Sequence, residues 1–600
     1  MTELSRRRLI QGAALTAAVA AVPAANAAGK PKFDEMHDVV VVGSGFAGLA
    51  AALAAREAGA DVLVIDKMAF VGGNSSLSGG MMAVPGSSVQ KEQGIKDSPA
   101  QLMADMTRIG LGLGDPDHIR FVCEKASDTF EWTRHYIGVE WNEHLTGKGG
   151  HSASRCMITK QGTGQGIIVP AVAKLEKLGT EIRTGVFMEK ILRSDTGRVT
   201  GVEVREDYEF GDAKSGRVKR IGARKAVILA CGGFGADVAY RKRLDPKLGE
   251  KFLTTNQPGA TAEAWREVSR IGARVIQADW IQCLPSCSPK EQGMGIATHF
   301  ASISATLFGF WVSSLTSKRF VNEFGDRKLC TDAILNVINA GGEALAFADD
   351  DGVRHLEVLR PGLFAKMLAA GTVEKFADAR ALARAYKMNE RELRATIARY
   401  NALLAKKQDT DFGRPFDKAA KPIGEGPYYV SRMSPKVHHC MGGVATDIHT
   451  AVLDVTNDKP IPGLFAAGEF VGGIHGAVRI GACAVLDCLV NGREAGRAAA
   501  AVKAWAGLIA GLVLAVGAGA GIYLYLGDYS ALGDKAVAQI EAARNANVTQ
   551  KSFDDSIAVL ERAVAGNKDL DNLEAWSILA ENYYNTEDAG CQCAAGKALG

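Results

Sequence analysis

No Cys-x-x-Cys-His run occurs in this 600-residue sequence, and no pair of Cys or His residues stands at the spacing of a zinc site. The first absence excludes a c-type haem on this chain, and the second a zinc finger or ribbon, so no metal is expected. The eleven cysteines are scattered, with Cys283 and Cys287 four apart and Cys591 and Cys593 two apart; most are expected as buried thiols. An excess of charge is missing too. A net charge of +3 gives no electrostatic footprint for a nucleic-acid partner.

Apolar residues make up 47% of the chain and glycine supplies 68 positions. Such a length is too great for one domain, and two to four are expected. The N-terminus reads as an address. Ser5-Arg6-Arg7-Arg8-Leu9-Ile10, an Ala-rich apolar stretch and the small-x-small site Ala25-Asn26-Ala27 resemble a twin-arginine export signal over residues 1–27, which implies a periplasmic protein exported already folded. Near the other end, Trp505 to Leu526 holds no charged residue and carries Gly507-x-x-x-Gly511 and Gly517-x-x-x-Gly521. At about 1.5 Å per residue it would span roughly 33 Å. A transmembrane helix over 505–526, and hence an inner-membrane association, is therefore expected, with spacings suited to close helix packing. Residues 527–600 follow as a helical tail. Trp576-x-x-Leu579-Ala580-x-x-Tyr583 and Phe553 to Val564 resemble parts of tetratricopeptide repeats, as in the membrane-anchored repeat proteins of cytochrome c assembly.

Between these ends the pattern is α/β. Asp38 to Val42 is a short β-branched run, Leu49 to Ala58 is an Ala/Leu helix, and Asp61 to Asp66 is a second strand, which together make one βαβ unit. Strands recur at Lys225 to Ala230 and Leu464 to Ala467. The fold expected is a Rossmann-like nucleotide-binding domain, residues 35–280 and 439–503, with an α+β capping domain inserted at 281–438. Charged helices, for example across Val373 to Lys406, mark the insert.

Gly43-Ser44-Gly45-Phe46-Ala47-Gly48 lies at the strand-to-helix turn of the βαβ unit. Gly43 permits the tight turn, Gly45 lets a pyrophosphate reach the backbone, and Gly48 lets helix and strand pack closely. The phosphates would rest on the helix N-terminus. Asp66 ends the second strand, 18 residues past Gly48, where an acid can bind a ribose hydroxyl, with Lys67 beside it.

Three further segments resemble the flavoprotein subunits of fumarate reductase and succinate dehydrogenase. Gly72-Gly73-Asn74-Ser75 with Ser78-Gly79-Gly80-Met81 resembles their second FAD loop. Ala230-Cys231-Gly232-Gly233-Phe234 resembles their Ala-Thr-Gly-Gly-Phe strand end, and Gly463 to Glu469, including Gly468, resembles the segment whose acid binds the ribityl chain. Ala484 and Val485 complete the expected FAD contacts. The resemblance covers about residues 35–500 and implies FAD, held non-covalently, because Asn74-Ser75-Ser76-Leu77 lacks the His to which membrane-bound members attach it.

The resemblance also implies the chemistry. Val437-His438-His439-Cys440-Met441-Gly442-Gly443 is similar to the family's His-x-Thr-Met-Gly-Gly and makes His438 a carboxylate ligand, while His439 should face away if the segment is a strand. Gly476-Ala477-Val478-Arg479-Ile480-Gly481 is similar to Gly-Ala-Asn-Arg-Leu-Gly, with Arg479 the carboxylate clamp. Arg319-Phe320-Val321-Asn322-Glu323 with Asp326-Arg327 resembles the segment carrying the proton-donating arginine, here Arg327. Two family features are missing. Leu284-Pro285-Ser286 replaces a His-Pro-Thr run, and no Glu-x-x-Arg proton relay lies between Pro289 and Arg319, where His299 and an apolar run including Phe308, Phe310 and Trp311 stand instead.

The expected function is reduction of the C=C bond of a monocarboxylic enoate, with electrons from a separate donor such as a cytochrome c. Two readings stay open: an FAD dehydrogenase of ketosteroid type working in the desaturating direction, and a membrane-anchored assembly or docking protein with a non-catalytic flavin domain.

Overall fold

The computed structural model describes residues 33–143, 145 and 149–504. The export signal, the apolar stretch 505–526 and the repeat-like tail lie outside the described residues. No helix among the described residues is long and apolar enough to cross a membrane.

The chain opens with β1 (Glu35–Val42), α1 (Phe46–Glu57) and β2 (Val62–Ile65), and continues into β3 (Glu181–Arg183), β4 (Phe187–Arg193), β5 (Val199–Glu206) and β6 (Arg217–Leu229). Strand β7 (Ile281–Leu284) begins the middle region, which holds β8 (Phe310–Ser313), α2 (Arg327–Asn339), β9 (Ala344–Asp349), α3 (Asp350–Leu359), β10 (Glu374–Phe376), α4 (Glu390–Ala405) and β11 (Tyr428–Met433). The chain returns through β12 (Lys436–Cys440), β13 (Ala451–Leu453), β14 (Pro460–Ala466) and α5 (Cys483–Ala501).

An eight-stranded sheet runs β13-β14-β6-β1-β2-β3, with β5 also on β6 and β4 on β5. Its centre is parallel, in the register Val40 to Leu63 and Val227 to Leu464. Val39 to Val42 are buried on both sides of the sheet, which is why they read as one continuous apolar run with no polar alternation. Helix α5 lies directly on α1. A Cβ at Gly492 would meet the Ala47 carbonyl oxygen at 2.4 Å, and one at Gly496 the Ala51 oxygen at 2.1 Å. This small-residue spacing brings the two backbones together under the nucleotide turn.

The middle region builds its own antiparallel sheet, ordered β8-β9-β11-β10. Side chains alternate along it. Trp311, Ala346 and Tyr429 pack on one face, and Phe310, Val312, Leu345 and Phe347 on the other. Burying Phe347 alone contributes about 2 kcal/mol. The helical stretch expected over Val373 to Lys406 is interrupted. It starts as β10, and Lys387, at φ 54°, breaks the remainder into two helices. Strands β7 and β12 form a separate antiparallel pair that carries site residues from both regions.

Candidate active site

Gly43 follows β1 at φ 107°, and a Cβ there would meet the Ala230 carbonyl oxygen at 2.2 Å, so no other residue fits. Helix α1 starts from Gly45 without a side-chain cap, leaving its first N–H groups turned outward as an anion cradle. Ser75 Oγ accepts from Phe46 N (3.0 Å), and Ser44 Oγ accepts from Gly72 N (3.0 Å). These bonds tie the second loop to the glycine turn. Ser44 N and Oγ donate to Asp66 Oδ2 at 3.0 and 2.5 Å, and Met68 N donates to Oδ1 at 2.9 Å. A carboxylate has room for a further donor, and Asp66 still faces a small cavity of about 70 Å³ shared with Gly43, Lys67, Gly259 and Glu263. Lys67 is committed to Glu263 at 3.1 Å and to Thr261.

A larger cavity of about 670 Å³ has Phe46, the first residue of α1, on its wall. Phe46, Asn74, Ser75, Ser78, Gly79, Glu469, Ala484 and Val485 line it, and so do Arg327, His438 and Arg479. Gly45, Ala47, Gly48, Gly72, Gly73, Gly80, Gly232 and Gly468, also expected to contact FAD, line neither cavity. Positions where a Cβ at Gly73 or Gly232 would sit have nothing within 4 Å. The start of α1, an acid at the second strand's end on a small cavity and the larger cavity beside Phe46 fit an extended dinucleotide such as FAD. Glu469 Oε1 accepts from Cys440 N (2.9 Å), and burial raises its carboxyl to a pKa of about 7.

Two guanidiniums and an imidazole converge on this cavity from distant parts of the chain. Arg327 is the first residue of α2, whose N-cap Asp326 accepts from Leu329 N. Its Nη1 donates to Gln282 Oε1 (3.2 Å), and Gln282 Nε2 donates to the Arg479 carbonyl (3.0 Å). His438 Nδ1 is 2.7 Å from Thr255 Oγ1. Among the described residues neither Arg327 nor Arg479 has an acidic partner, and Arg479 Nε has no hydrogen-bond partner although buried. Burial first, then the neighbouring Arg479, holds Arg327 well below the usual arginine range. Burial, Arg327 and Arg479 in that order hold the His438 imidazole well below its usual value. What surface Arg327 and His438 expose lies on the cavity wall. A site of this kind can receive an anion and can release a proton more readily than an ordinary guanidinium.

His439 does not turn away from the cavity. Strand β12 bulges at His438: Gln282 pairs with His439 and Cys283 with Val437, so one residue is inserted and the alternation breaks. His439 therefore borders the cavity too, with Nδ1 3.4 Å from Glu469 Oε1. Leu284, Pro285, Met294, Ile303, Phe324 and Leu363 form apolar wall. His299 also lines the cavity, whereas Lys290 is held outside it by Glu374 (2.7 Å). None of the described cysteines is in a disulfide, and all but Cys231 and Cys488 are buried.

Sequence reasoning missed Gln282, Thr255, His151 and Arg360. His151 Nε2 donates to the Gly481 carbonyl (2.8 Å), two residues beyond Arg479, and Arg360 stands on the cavity wall. The run of Gln282 beside Leu284 was the one local signal, since it lies next to the departed His-Pro-Thr motif.

The sequence profile described as an FAD binding domain matches residues 38–485. The acrylate reductase flavoprotein subunit of Shewanella woodyi is 37% identical over 503 residues, covering 82% of this chain and 98% of that protein. A fumarate reductase (cytochrome) of Shewanella frigidimarina is 32% identical over 466 residues, covering 77% of each. The solved open conformation of a flavocytochrome c3 fumarate reductase superposes with a TM-score of 0.62 at 29% identity, covering 82% of this chain and 80% of that one. The chain belongs to the FAD-binding family of fumarate reductase-like flavoproteins and is an FAD-dependent oxidoreductase acting on carbon–carbon double bonds.

Proposed function

We propose that the protein reduces the C=C bond of an α,β-unsaturated monocarboxylate. The observation that carries this is the cluster of Arg327, Arg479 and His438 on one cavity, with no ion pair to either arginine among the described residues. A substrate carboxylate supplies the missing charge. Arg479 offers its forked donors, and the Thr255 hydroxyl, donating to His438 Nδ1, leaves the imidazole proton on Nε2 to reach the same carboxylate. When bound, reduced FAD supplies the hydride to one alkene carbon. Arg327 delivers a proton to the other, aided by burial and by the like charge of Arg479. Gln282 fixes the Arg327 fork and, through the Arg479 carbonyl, ties donor and clamp together.

Leu284 supports the monocarboxylic class. A second carboxylate against Leu284 would be desolvated without compensation, at a cost of several kcal/mol. An apolar substituent there gains about 25 cal/mol per Å² buried. The likeness to an acrylate reductase supports the same reading. The cations weigh against a ketosteroid, which carries no carboxylate. The FAD is held without a covalent bond, since Asn74 to Leu77 has no His. Electrons come from a separate donor, a cytochrome c being the type suggested by the relatives, because this chain has no haem-attachment run. Residues 281–438 act as the cap over the substrate.

Steady-state oxidation of reduced viologen tests the proposal. Methacrylate or an arylacrylate should be reduced with at least tenfold higher kcat/KM than fumarate, by protein whose yellow colour is fully released on acid precipitation. Equal or better fumarate reduction would overturn the Leu284 argument, and no turnover with any enoate would overturn the function.

A further inference from the structure

Arg360 follows α3 as its C-cap and projects from the middle region onto the loop after Ile158. Its Nη1 donates to the Gly162 carbonyl (2.9 Å). A Cβ at Gly162 would lie 3.1 Å from Nη1, and one at Gly79 would lie 4.0 Å from Nη2. The guanidinium is therefore seated between two glycines, against the second FAD loop, and it lines the large cavity. Among the described residues no acidic side chain pairs with it. The acid one turn before, Glu357, is committed to Gly362 N and Phe364 N at 2.8 Å each. Lys160, on the same wall, is occupied by Glu140 at 3.5 Å. Of the five N–H donors of Arg360, the described residues take one. A cation held by glycines, without an acid and with spare donors facing a substrate cavity, is the arrangement of an anion receptor.

We propose that Arg360 is an anion-capture site on the cavity wall, which first receives the carboxylate of an incoming enoate before Arg479 and His438 hold it. It rests on the function proposed above, and it adds a specificity residue that neither the glycine loops nor the cation triad contains. A fixed charge beside a low-dielectric cleft raises the local concentration of the opposite charge, and salt screens that effect. Capture of this kind lowers KM and leaves the chemical step to the triad.

The test uses FAD-loaded full-length protein, with an unchanged flavin spectrum and melting temperature as the check on folding. Arg360→Gln should lower kcat/KM for methacrylate about fivefold at low salt, through KM, and should flatten its dependence on ionic strength. Arg360→Lys should retain that dependence. The dissociation constant of isobutyrate, an unreactive saturated carboxylate read from the flavin absorbance, should rise about fivefold in Arg360→Gln. An unaltered ionic-strength slope and an unaltered isobutyrate affinity would overturn the proposal. So would an equal loss with the uncharged methyl ester, since that would make Arg360 a mechanical clasp between the two regions. If the wild-type protein turns over no enoate, yet Arg360→Gln still loses isobutyrate, the capture site stands and the proposed reaction falls.

Discussion

Two pairs of arginines, Arg319 with Arg414 and Arg327 with Arg479, are withdrawn from solvent and differ in one respect. Arg319 grips Glu323 through Nε (2.9 Å) and Nη2 (2.8 Å) and reaches Asp409 at 2.9 Å, while Arg414 donates to Glu323 (3.3 Å) and to the Gly309 carbonyl (2.9 Å). Arg327, eight residues past Arg319, and Arg479 make no ion pair among the described residues, and donate instead to Gln282 Oε1 and the Ile480 carbonyl. The acids raise Arg319 further above the usual range, whereas burial and mutual repulsion lower Arg327. A buried arginine with its carboxylate holds loops together; Glu323 also accepts from Trp311 N and so fixes the turn leading to Arg327. A buried arginine without one costs stability, and its retention points to an anion that arrives from outside. Composition cannot separate the two kinds, and partners can.

The sharpest break in this contrast is Arg327→Ala. Turnover should fall by about 10³-fold, roughly 4 kcal/mol of transition-state stabilisation. The flavin should stay bound, and the melting temperature should hold or rise, because an unpaired cation has been removed. A loss of less than about tenfold would mean that another group donates the proton.

Arg319→Met should do the reverse. It leaves Asp409 without its cation and Glu323 with half its partners, which should cost about 3 kcal/mol of stability. The residual enzyme should keep a flavin-bound spectrum. Chemical denaturation of both variants reads the crossing directly. An Arg319→Met protein as stable as the parent would show that the pair is not structural.

Those partners also mark where the sequence stopped being legible. The βαβ unit, the glycine turn and the position of the triad were readable because each is local, or rests on a motif carried whole by the family resemblance. Strand β6 was half seen: its first part, with Arg217, Lys219 and Arg220, looks too charged for a buried strand, and it is an edge ribbon paired with β5. Thr255 meets His438 across 183 positions, Arg327 meets Gln282 across 45, and Arg360 meets Gly162 across 198. No spacing rule reports contacts that tertiary folding alone creates. The bulge that turns His439 towards the cavity likewise depends on its pairing with Gln282, so alternation along a single strand pointed it the wrong way.

The smallest effect concerns a third arginine, Arg155, which is paired like Arg319 but serves the unpaired Arg479. Arg155 is fully buried and holds Asp97 (2.8 Å) and Asp105 (2.6 Å) while Nη1 donates to His151 Nδ1 (3.0 Å). An arginine cannot accept, so Nδ1 must, and the His151 proton sits on Nε2, where it reaches the Gly481 carbonyl. Burial, and then the charge of Arg155, hold His151 down to a pKa of about 4, against 6.5 for a free imidazole. The folded protein therefore refuses a proton that the unfolded chain accepts below about 6.5. This contribution to stability is whole above pH 6.5 and is lost as the pH falls towards 4. Burial pulls the Asp105 carboxyl up, but hydrogen bonds from Arg155 and Ser152 outweigh it and hold it down to about 2, so its contribution is lost mainly below pH 4. Glu469, raised to about 7, runs the other way, stabilising below pH 4.5 and losing its share as the pH rises to 7. His151→Gln keeps a donor for Gly481 and removes the titration, so subtracting its curve from that of the parent cancels Glu469. The parent should lose a few degrees of melting temperature more than His151→Gln between pH 6.5 and 4. The enoate KM at pH 7 should shift less than threefold. Parallel curves would mean that the Arg479 loop does not depend on His151, and that the paired and unpaired arginines are independent.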